Sequence, residues 1–206
     1  MQAKVNLLGY SLDSLEDFFK DINEPKFRAK QLLKWIHQKG ITNFDEMTDF
    51  NKILREKLNT IAHIKPPLVD EIFISPEGTK KYLVKLESGS MIEMVRIPEK
   101  KRMTLCISSQ AGCALQCTFC ATGAQGFEKN LTANEIIGQV WLANFHDSKE
   151  KPITNIVFMG MGEPLLNFEP VVESAKIMKD DGEKFITSTP HAPHIWQDIR
   201  GEIINQ

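Results

Sequence analysis

The sequence has no marked excess of charge of one sign and no long apolar run. Lys and Arg number 25 against 27 Asp and Glu, which gives a net charge of -2 and a pI near 6.2. Such a nearly neutral net charge does not by itself indicate nucleic acid binding, so any such contact would have to use local patches of positive charge. No apolar segment approaches the roughly 18 residues of a membrane span. Residues 1–10 also lack the apolar core of a signal peptide. We therefore expect a soluble, cytoplasmic, monomeric protein with no membrane partner.

Cysteine is scarce and confined to one place, because all four cysteines lie within residues 106–120. A disulfide framework would be spread over the domain, so these cysteines are expected to have a chemical role. Cys113, Cys117 and Cys120 are separated by three residues and then two. A short loop brings thiolates together easily. Closed zinc and iron–sulfur sites take four protein ligands, so three ligands indicate an open position. We interpret residues 113–120, the cysteine loop, as three ligands of a four-iron cluster.

Two other interpretations of the cysteine loop are weaker. A structural zinc site would need Cys106 as its fourth ligand, and Cys106 falls inside a predicted strand that does not obviously point it at the loop. A redox dithiol would use Cys117 and Cys120 alone and would leave Cys113 unexplained. Phe119, just before the last cysteine, is equally consistent with a core residue and with a stacking surface for an aromatic cofactor.

The first 66 residues have helical periodicity and predict an all-helical accessory domain. Ser11 is positioned to cap the first helix, and Gly40 to end the second. The predicted helices span about 12–22, 27–36 and 50–61. The second helix carries Lys26, Arg28, Lys30 and Lys34, and we interpret this basic face as a solvated surface in preference to an RNA-binding one.

Residues 67–101 alternate apolar and polar side chains and predict an antiparallel β linker region. From residue 102 the pattern is strand, loop, helix, strand, loop, helix, strand, which predicts a parallel sheet and an α/β fold. The predicted strands are 103–107, 153–159 and 185–188, and Thr132 with Glu135 forms a capping box for the intervening helix. In such sheets the ligand-binding and catalytic residues lie at the carboxyl ends of the strands. Both the cysteine loop and residues 160–164 fall there.

Residues 160–164 (Gly-Met-Gly-Glu-Pro), the glycine loop, close the second of these strands. Glycines let the backbone approach a ligand, and a carboxylate such as Glu163 suits a cationic amino group. Taken alone, the segment is explained by a simple tight turn. Beside the cysteine loop it predicts a binding site.

Four segments together resemble one family, namely Ile92–Pro98, Thr104–Cys120, Asn134–Trp141 and Pro152–Asn167. They are similar to the radical S-adenosylmethionine (SAM) enzymes, and among these to the RNA methyltransferases that modify C2 of adenine. The resemblance covers residues 1 to about 181. It implies an N-terminal helical module with a partial (β/α) barrel, a [4Fe-4S] cluster and SAM as cofactors, and 2-methyladenosine as the product. It also implies 23S rRNA and tRNA as substrates and a reducing partner such as flavodoxin.

The resemblance also implies residue roles. Cys113, Cys117 and Cys120 would hold the cluster. Glu93 would remove the C2 proton of adenine, and Cys106 would help resolve a covalent enzyme–RNA intermediate by forming a disulfide. The implied SAM contacts are Gly162 and Glu163. Ser188 lies in a segment, residues 186–189, that resembles the start of a later SAM-contacting strand, and Phe119 is a candidate contact from its position beside the cluster. Without the resemblance, Glu93 would be interpreted as a strand-surface carboxylate and Cys106 as a small buried hydrophobe.

The sequence departs from this family towards its end. The family's methyl-carrying cysteine lies near its C-terminus, but here no cysteine follows Cys120. The chain stops at Gln206, whereas a closed eight-unit barrel takes roughly 250 residues. After Asp181, residues 191–193 and 198–204 resemble a later piece of the family. We therefore expect residues 102–206 to form a truncated radical SAM core, with an internal deletion and early termination. The chain would be either an RNA-modifying enzyme or a truncated remnant that binds a cluster without turnover.

Overall fold

The chain folds as a helical N-terminal module followed by a mixed β-sheet with helices, in a computed structural model that describes residues 4–115, 117–118, 120–146 and 151–179. The mixed α/β class expected from the sequence is confirmed. None of the helices in these ranges combines the length and the apolar character that a membrane span requires. The predicted strand at 185–188 lies outside the described residues.

The three predicted N-terminal helices are present. The module comprises β1 (Val5–Asn6), a 3-10 turn (Leu7–Gly9), α1 (Leu12–Asp21), α2 (Phe27–Leu33), a π-helical turn (Lys34–Gln38), a 3-10 turn (Phe44–Glu46), α3 (Lys52–Ile61) and β2 (Ala62–His63). Ser11 accepts a hydrogen bond from the Ser14 amide and caps α1, as predicted. The expectation of an all-helical module is wrong, because β1 and β2 pair in parallel, with Val5 opposite Ala62.

The second part of the chain is built on one five-stranded sheet. The elements of this part of the chain are β3 (Leu68–Ile74), β4 (Lys80–Lys85), β5 (Met91–Pro98), β6 (Met103–Cys106), β7 (Gln110–Gly112), α4 (Ala121–Gln125), β8 (Phe127–Asn130), α5 (Ala133–Phe145), β9 (Asn155–Val157), a 3-10 turn (Pro164–Asn167) and α6 (Phe168–Lys179). The strand order is β3-β4-β5-β6-β9. The predicted antiparallel meander is therefore confirmed, and so is the parallel pairing of the two strands that precede the loops, β6 and β9. The division into domains at residues 66 and 101 stays a prediction.

The two faces of this sheet differ in burial. Val95 lies opposite both Lys81 and Cys106, so these three side chains share a face with Glu93, two residues before Val95. This face, which we call the open face, is only half-buried. The opposite face is buried and carries Tyr82, Val84, Ile92, Met94, Arg96, Leu105 and Ile156.

Arg96 lies on the buried face, opposite Lys80 of β4, and it is 2% exposed. Its guanidinium donates to the carbonyl oxygen of Ala143 at 2.7 Å, and also to that of Lys151. Ala143 belongs to the last turn of α5, where carbonyl groups lack helical partners and a positive charge is favourable. Arg96 therefore fixes the end of α5 against the sheet.

The N-terminal module is attached to α5 through its π-helical turn. This turn leaves the carbonyl of Ile36 without a helical partner, and the indole of Trp141 in α5 donates to it at 3.0 Å. Gly40, which ends the helical segment at φ +66°, packs so closely on Phe145 that a side chain there would meet the ring. The module and the core therefore share one packed interface.

His37 lies inside the π-helical turn and is 4% exposed. Burial lowers its pKa from 6.5 to about 4. The unfolded chain therefore binds a proton at this histidine between pH 6.5 and 4 while the folded chain does not, so stability falls as pH falls through this window.

We expect the free energy of unfolding to drop by about 2 kcal/mol between pH 7 and pH 5 because of His37 alone. His37→Leu should remove this part of the pH dependence, as measured by urea unfolding at the two pH values. His146→Gln, at an exposed histidine, is the control and should leave it unchanged. Equal losses in the wild type and His37→Leu would contradict the assignment.

Candidate functional site

The two loops singled out in the sequence leave the same edge of the sheet. Strands β6 and β9 are parallel, and Cys106 lies opposite Val157 at their ends. Beyond the strands the Gly160 amide donates to the Ile107 carbonyl at 3.0 Å. The Met161 carbonyl accepts from the amides of Ser109 and Gln110 at 2.9 and 3.1 Å. The structure therefore places the glycine loop directly beside the segment that leads into the cysteine loop.

Ser108 ties three parts of this edge together and is fully buried. Its hydroxyl donates to the carbonyl oxygen of Glu93 at 2.6 Å and accepts from the Met161 amide at 2.8 Å. The side-chain amide of Gln139, on α5, accepts from the Ser108 amide and donates to the Ser108 carbonyl, at 2.8 and 2.9 Å. The backbone of β5, the glycine loop and α5 therefore meet at one serine.

A short antiparallel hairpin of β7 and β8 holds the cysteine loop at its base, with Gln110 opposite Asn130. The Cys113 amide donates to the Gly126 carbonyl at 3.0 Å, which closes the hairpin around the loop and α4. This hairpin could not be predicted from the sequence, because strands of three or four residues are too short to show periodicity.

The three loop cysteines differ in exposure. Cys113 is buried, Cys120 is half-buried and Cys117 is exposed, and all are free thiols. The amides of Gly123 and Thr122 donate to the Cys120 sulfur and lower its pKa. Within the described ranges, no three Cys, His, Asp or Glu side chains are grouped as a metal site. The donor set, three thiols on one loop, nevertheless has the chemistry of an iron–sulfur cluster.

Glu93 and Cys106 lie on the open face. The Glu93 carboxylate accepts from the Lys81 ammonium at 3.0 Å, and both side chains are 44% exposed. Burial raises the pKa of the Cys106 thiol, although the Met159 amide donates to it and opposes the shift. Strand register therefore brings the two predicted catalytic residues to one accessible surface.

The glycine loop ends at a capped turn. The Glu163 carboxylate accepts from the Leu165 amide at 3.1 Å and caps the 3-10 turn Pro164–Asn167. Asn167 is 3% exposed and donates to the carbonyls of Ser109 and Leu131, both at 2.7 Å. Of the other predicted SAM contacts, Phe119 and Ser188 lie outside the described residues.

Sequence reasoning missed four buried polar residues at this edge, which are Ser108, Gln110, Gln139 and Asn167. One signal was available for Gln139, because it interrupts the apolar stripe of α5 next to Val140. A polar residue in such a stripe needs a buried partner. The other three give no comparable signal in the sequence.

Two family models match the chain. Residues 5–64 match the ribosomal RNA large subunit methyltransferase N-terminal domain, and residues 107–201 match the radical SAM superfamily. The two matches flank the antiparallel meander.

Similar proteins of known name include two curated relatives and one solved structure. The chain is 54% identical over 184 residues to the dual-specificity RNA methyltransferase RlmN of Pseudomonas putida, covering 87% of this chain and 48% of that protein. It is 51% identical to the protein of the same name from Marinobacter nauticus, covering 86% and 49%. The crystal structure of a radical SAM methyltransferase from Sphaerobacter thermophilus superposes with a TM-score of 0.78 at 35% identity, covering 86% and 52%. The chain thus spans about half the length of the curated relatives it matches.

Proposed function

We propose that the chain is a radical SAM protein and that its two loops form the cluster- and SAM-binding part of an RNA methyltransferase site. Residues 5–64 and 107–201 match the two family models, and the chain is 54% identical to RlmN over 184 residues. The reaction proposed is methylation of C2 of adenine in 23S rRNA and tRNA. One observation carries the proposal. The Met161 carbonyl accepts from Ser109 and Gln110, so the glycine loop and the approach to the cysteine loop form one structural unit.

The thiolates of Cys113, Cys117 and Cys120 would hold a [4Fe-4S] cluster, which when bound supplies the electron that cleaves SAM. The backbone of Gly162 and the carboxylate of Glu163 would hold the amino end of SAM. The lowered pKa of Cys120 supports this role, because thiolates rather than thiols are metal ligands. Phe119 is a proposed SAM contact because it adjoins Cys120 in the sequence, and Ser188 is one because residues 186–189 resemble a SAM-contacting strand of the family.

Glu93 is proposed as the base that removes the C2 proton. Its carboxylate is accessible on the open face, and the Lys81 ammonium holds it in place. A base must reach the proton that it removes, and a surface of the sheet beside the loops allows this. Cys106 shares this face, and its raised pKa keeps it a thiol at neutral pH. Cys106 is proposed to supply one sulfur of the disulfide that would form as the carbon–sulfur bond between enzyme and RNA breaks. The other sulfur would come from the family's methyl-carrying cysteine, which has no counterpart after Cys120 in this sequence.

The proposed partners are 23S rRNA, tRNA and an electron donor such as flavodoxin. We also propose that the protein is cytoplasmic and monomeric.

A second candidate function is cluster binding without turnover. The observation in its favour is that no cysteine follows Cys120 in the sequence. In the resembled family a C-terminal cysteine carries the methyl group to the base. On this proposal the 206-residue chain binds cluster and SAM but does not transfer methyl by itself.

We expect no 2-methyladenosine when the reconstituted chain is incubated with SAM, a reductant and a 23S rRNA transcript. Digestion of the RNA followed by mass spectrometry of its nucleosides measures the product. The full-length Pseudomonas putida relative, assayed in parallel, is the positive control. Product above background from this chain would show that the methyl carrier is dispensable or replaced, and would favour the first candidate.

A further inference from the structure

Gln110 contacts both loops of the proposed site and has no role assigned so far. It is the first residue of β7 and is 1% exposed. Its side-chain oxygen accepts from the Glu163 amide at 2.9 Å, and its side-chain nitrogen donates to the Asn130 side chain at 2.7 Å. Asn130 is the last residue of β8. One side chain therefore links the base of the cysteine-loop hairpin to the glycine loop.

The link between Gln110 and Glu163 requires a glycine at position 162. Its φ is +94°, and a Cβ atom there would overlap the Cβ of Gln110. The Gln110 side chain therefore lies against the bare backbone of Gly162 and reaches the next amide, that of Glu163. The absence of a side chain at Gly162 therefore leaves the space that the Gln110 side chain occupies.

We propose that Gln110 is a positioning residue that fixes the Gly162–Glu163 backbone relative to the cysteine loop and so sets the affinity for SAM. The inference rests on the proposed function, in which Gly162 and Glu163 hold the amino end of SAM. Without the Gln110 oxygen, the half-buried Glu163 amide would lose its partner, and a donor left unpaired away from water costs free energy. The glycine loop would move to find another partner, and the SAM contacts would move with it.

The test measures SAM affinity in variants of the anaerobically reconstituted 206-residue chain, by equilibrium dialysis. Gln110→Met has a similar unbranched shape and lacks both polar groups. We expect it to bind SAM about tenfold more weakly than the wild type, with an unchanged iron content. Asn130→Ala removes the other partner of Gln110 and leaves the bond to Glu163, so its affinity should stay within about threefold.

Arg96→Met is the matched control, because it also removes a buried polar side chain that makes two hydrogen bonds. Arg96 lies on the buried face of the five-stranded sheet, whereas Gln110 lies in the β7–β8 hairpin. It should lower the melting temperature and leave SAM affinity unchanged. If Gln110→Met does not fold, Gln110→Ala removes the same groups without bulk and carries the same expectation.

The outcomes separate this inference from the proposed function. Wild-type affinity in Gln110→Met, or an equal loss in Arg96→Met, overturns the positioning role alone. A larger loss in Asn130→Ala than in Gln110→Met also overturns it, because the bond to Glu163 would not be the cause. Absence of SAM binding by the wild-type chain overturns both.

Discussion

Anaerobic reconstitution with iron and sulfide should give about four irons per chain, and the triple variant Cys113→Ser, Cys117→Ser, Cys120→Ser should give almost none. The physical reason is ligand chemistry, because a serine hydroxyl is a far harder and less acidic donor than a thiol. Iron and sulfide analysis with the absorbance spectrum measures the result. We therefore expect the triple variant to lose nearly all of its bound iron.

The matched control is Cys106→Ser, which changes the same residue type seven positions before Cys113. It should keep the full iron content, because Cys106 lies in β6 on the open face and not in the cysteine loop. Loss of iron in this control would restore the alternative of a closed site with four protein ligands. Iron retained by the triple variant would show that the loop is not the cluster site.

Gly112→Ala should destabilise the chain by about 2–4 kcal/mol and strongly reduce iron binding. Gly112 has φ +71°, which costs an L-residue energy, and an added Cβ would overlap the carbonyl oxygen of Gly126. That carbonyl accepts from the Cys113 amide and closes the hairpin. The substitution therefore opens the base of the cysteine loop, and the three thiols are no longer held in fixed positions relative to one another.

Gly89→Ala separates this local effect from the cost of positive φ alone. Gly89 has φ +94° in the turn between β4 and β5, and an added Cβ there has no atom within 4 Å. We expect a loss of about 1 kcal/mol and a normal iron content. Urea unfolding and iron analysis of both variants are the measurements. Similar iron contents in the two variants would contradict the proposed function of the hairpin.

Elements with strong local signals could be predicted from the sequence. The capping box of Thr132 and Glu135 is formed, with the Thr132 amide donating to the Glu135 carboxylate at 2.9 Å. The meeting of the two loops at one sheet edge also follows from pattern, because parallel strands place their carboxyl ends together. These features depend on residues near in sequence or on a general rule of topology.

Other features depend on tertiary register and gave no local signal. The parallel pair of β1 and β2 has two residues in each strand, too few for periodicity. Glu93 has the spacing of an ordinary strand-surface residue, and only the register of β5 against β6 shows that it shares a face with Cys106. The link from Gln110 to Glu163 spans 53 residues and requires both loops to be in place. The site assignments of Glu93, Cys106, Gly162 and Glu163 remain predictions.

The cysteine loop and the glycine loop are proposed to form one site for a cluster and SAM. Electron paramagnetic resonance of the reduced, reconstituted chain tests this site, with spectra recorded before and after SAM is added. We expect a cluster signal whose g-values change when SAM binds, because SAM would occupy the position left open by three cysteine ligands. A cluster signal that stays identical at saturating SAM, or no cluster signal at all, would show that the two loops do not form such a site.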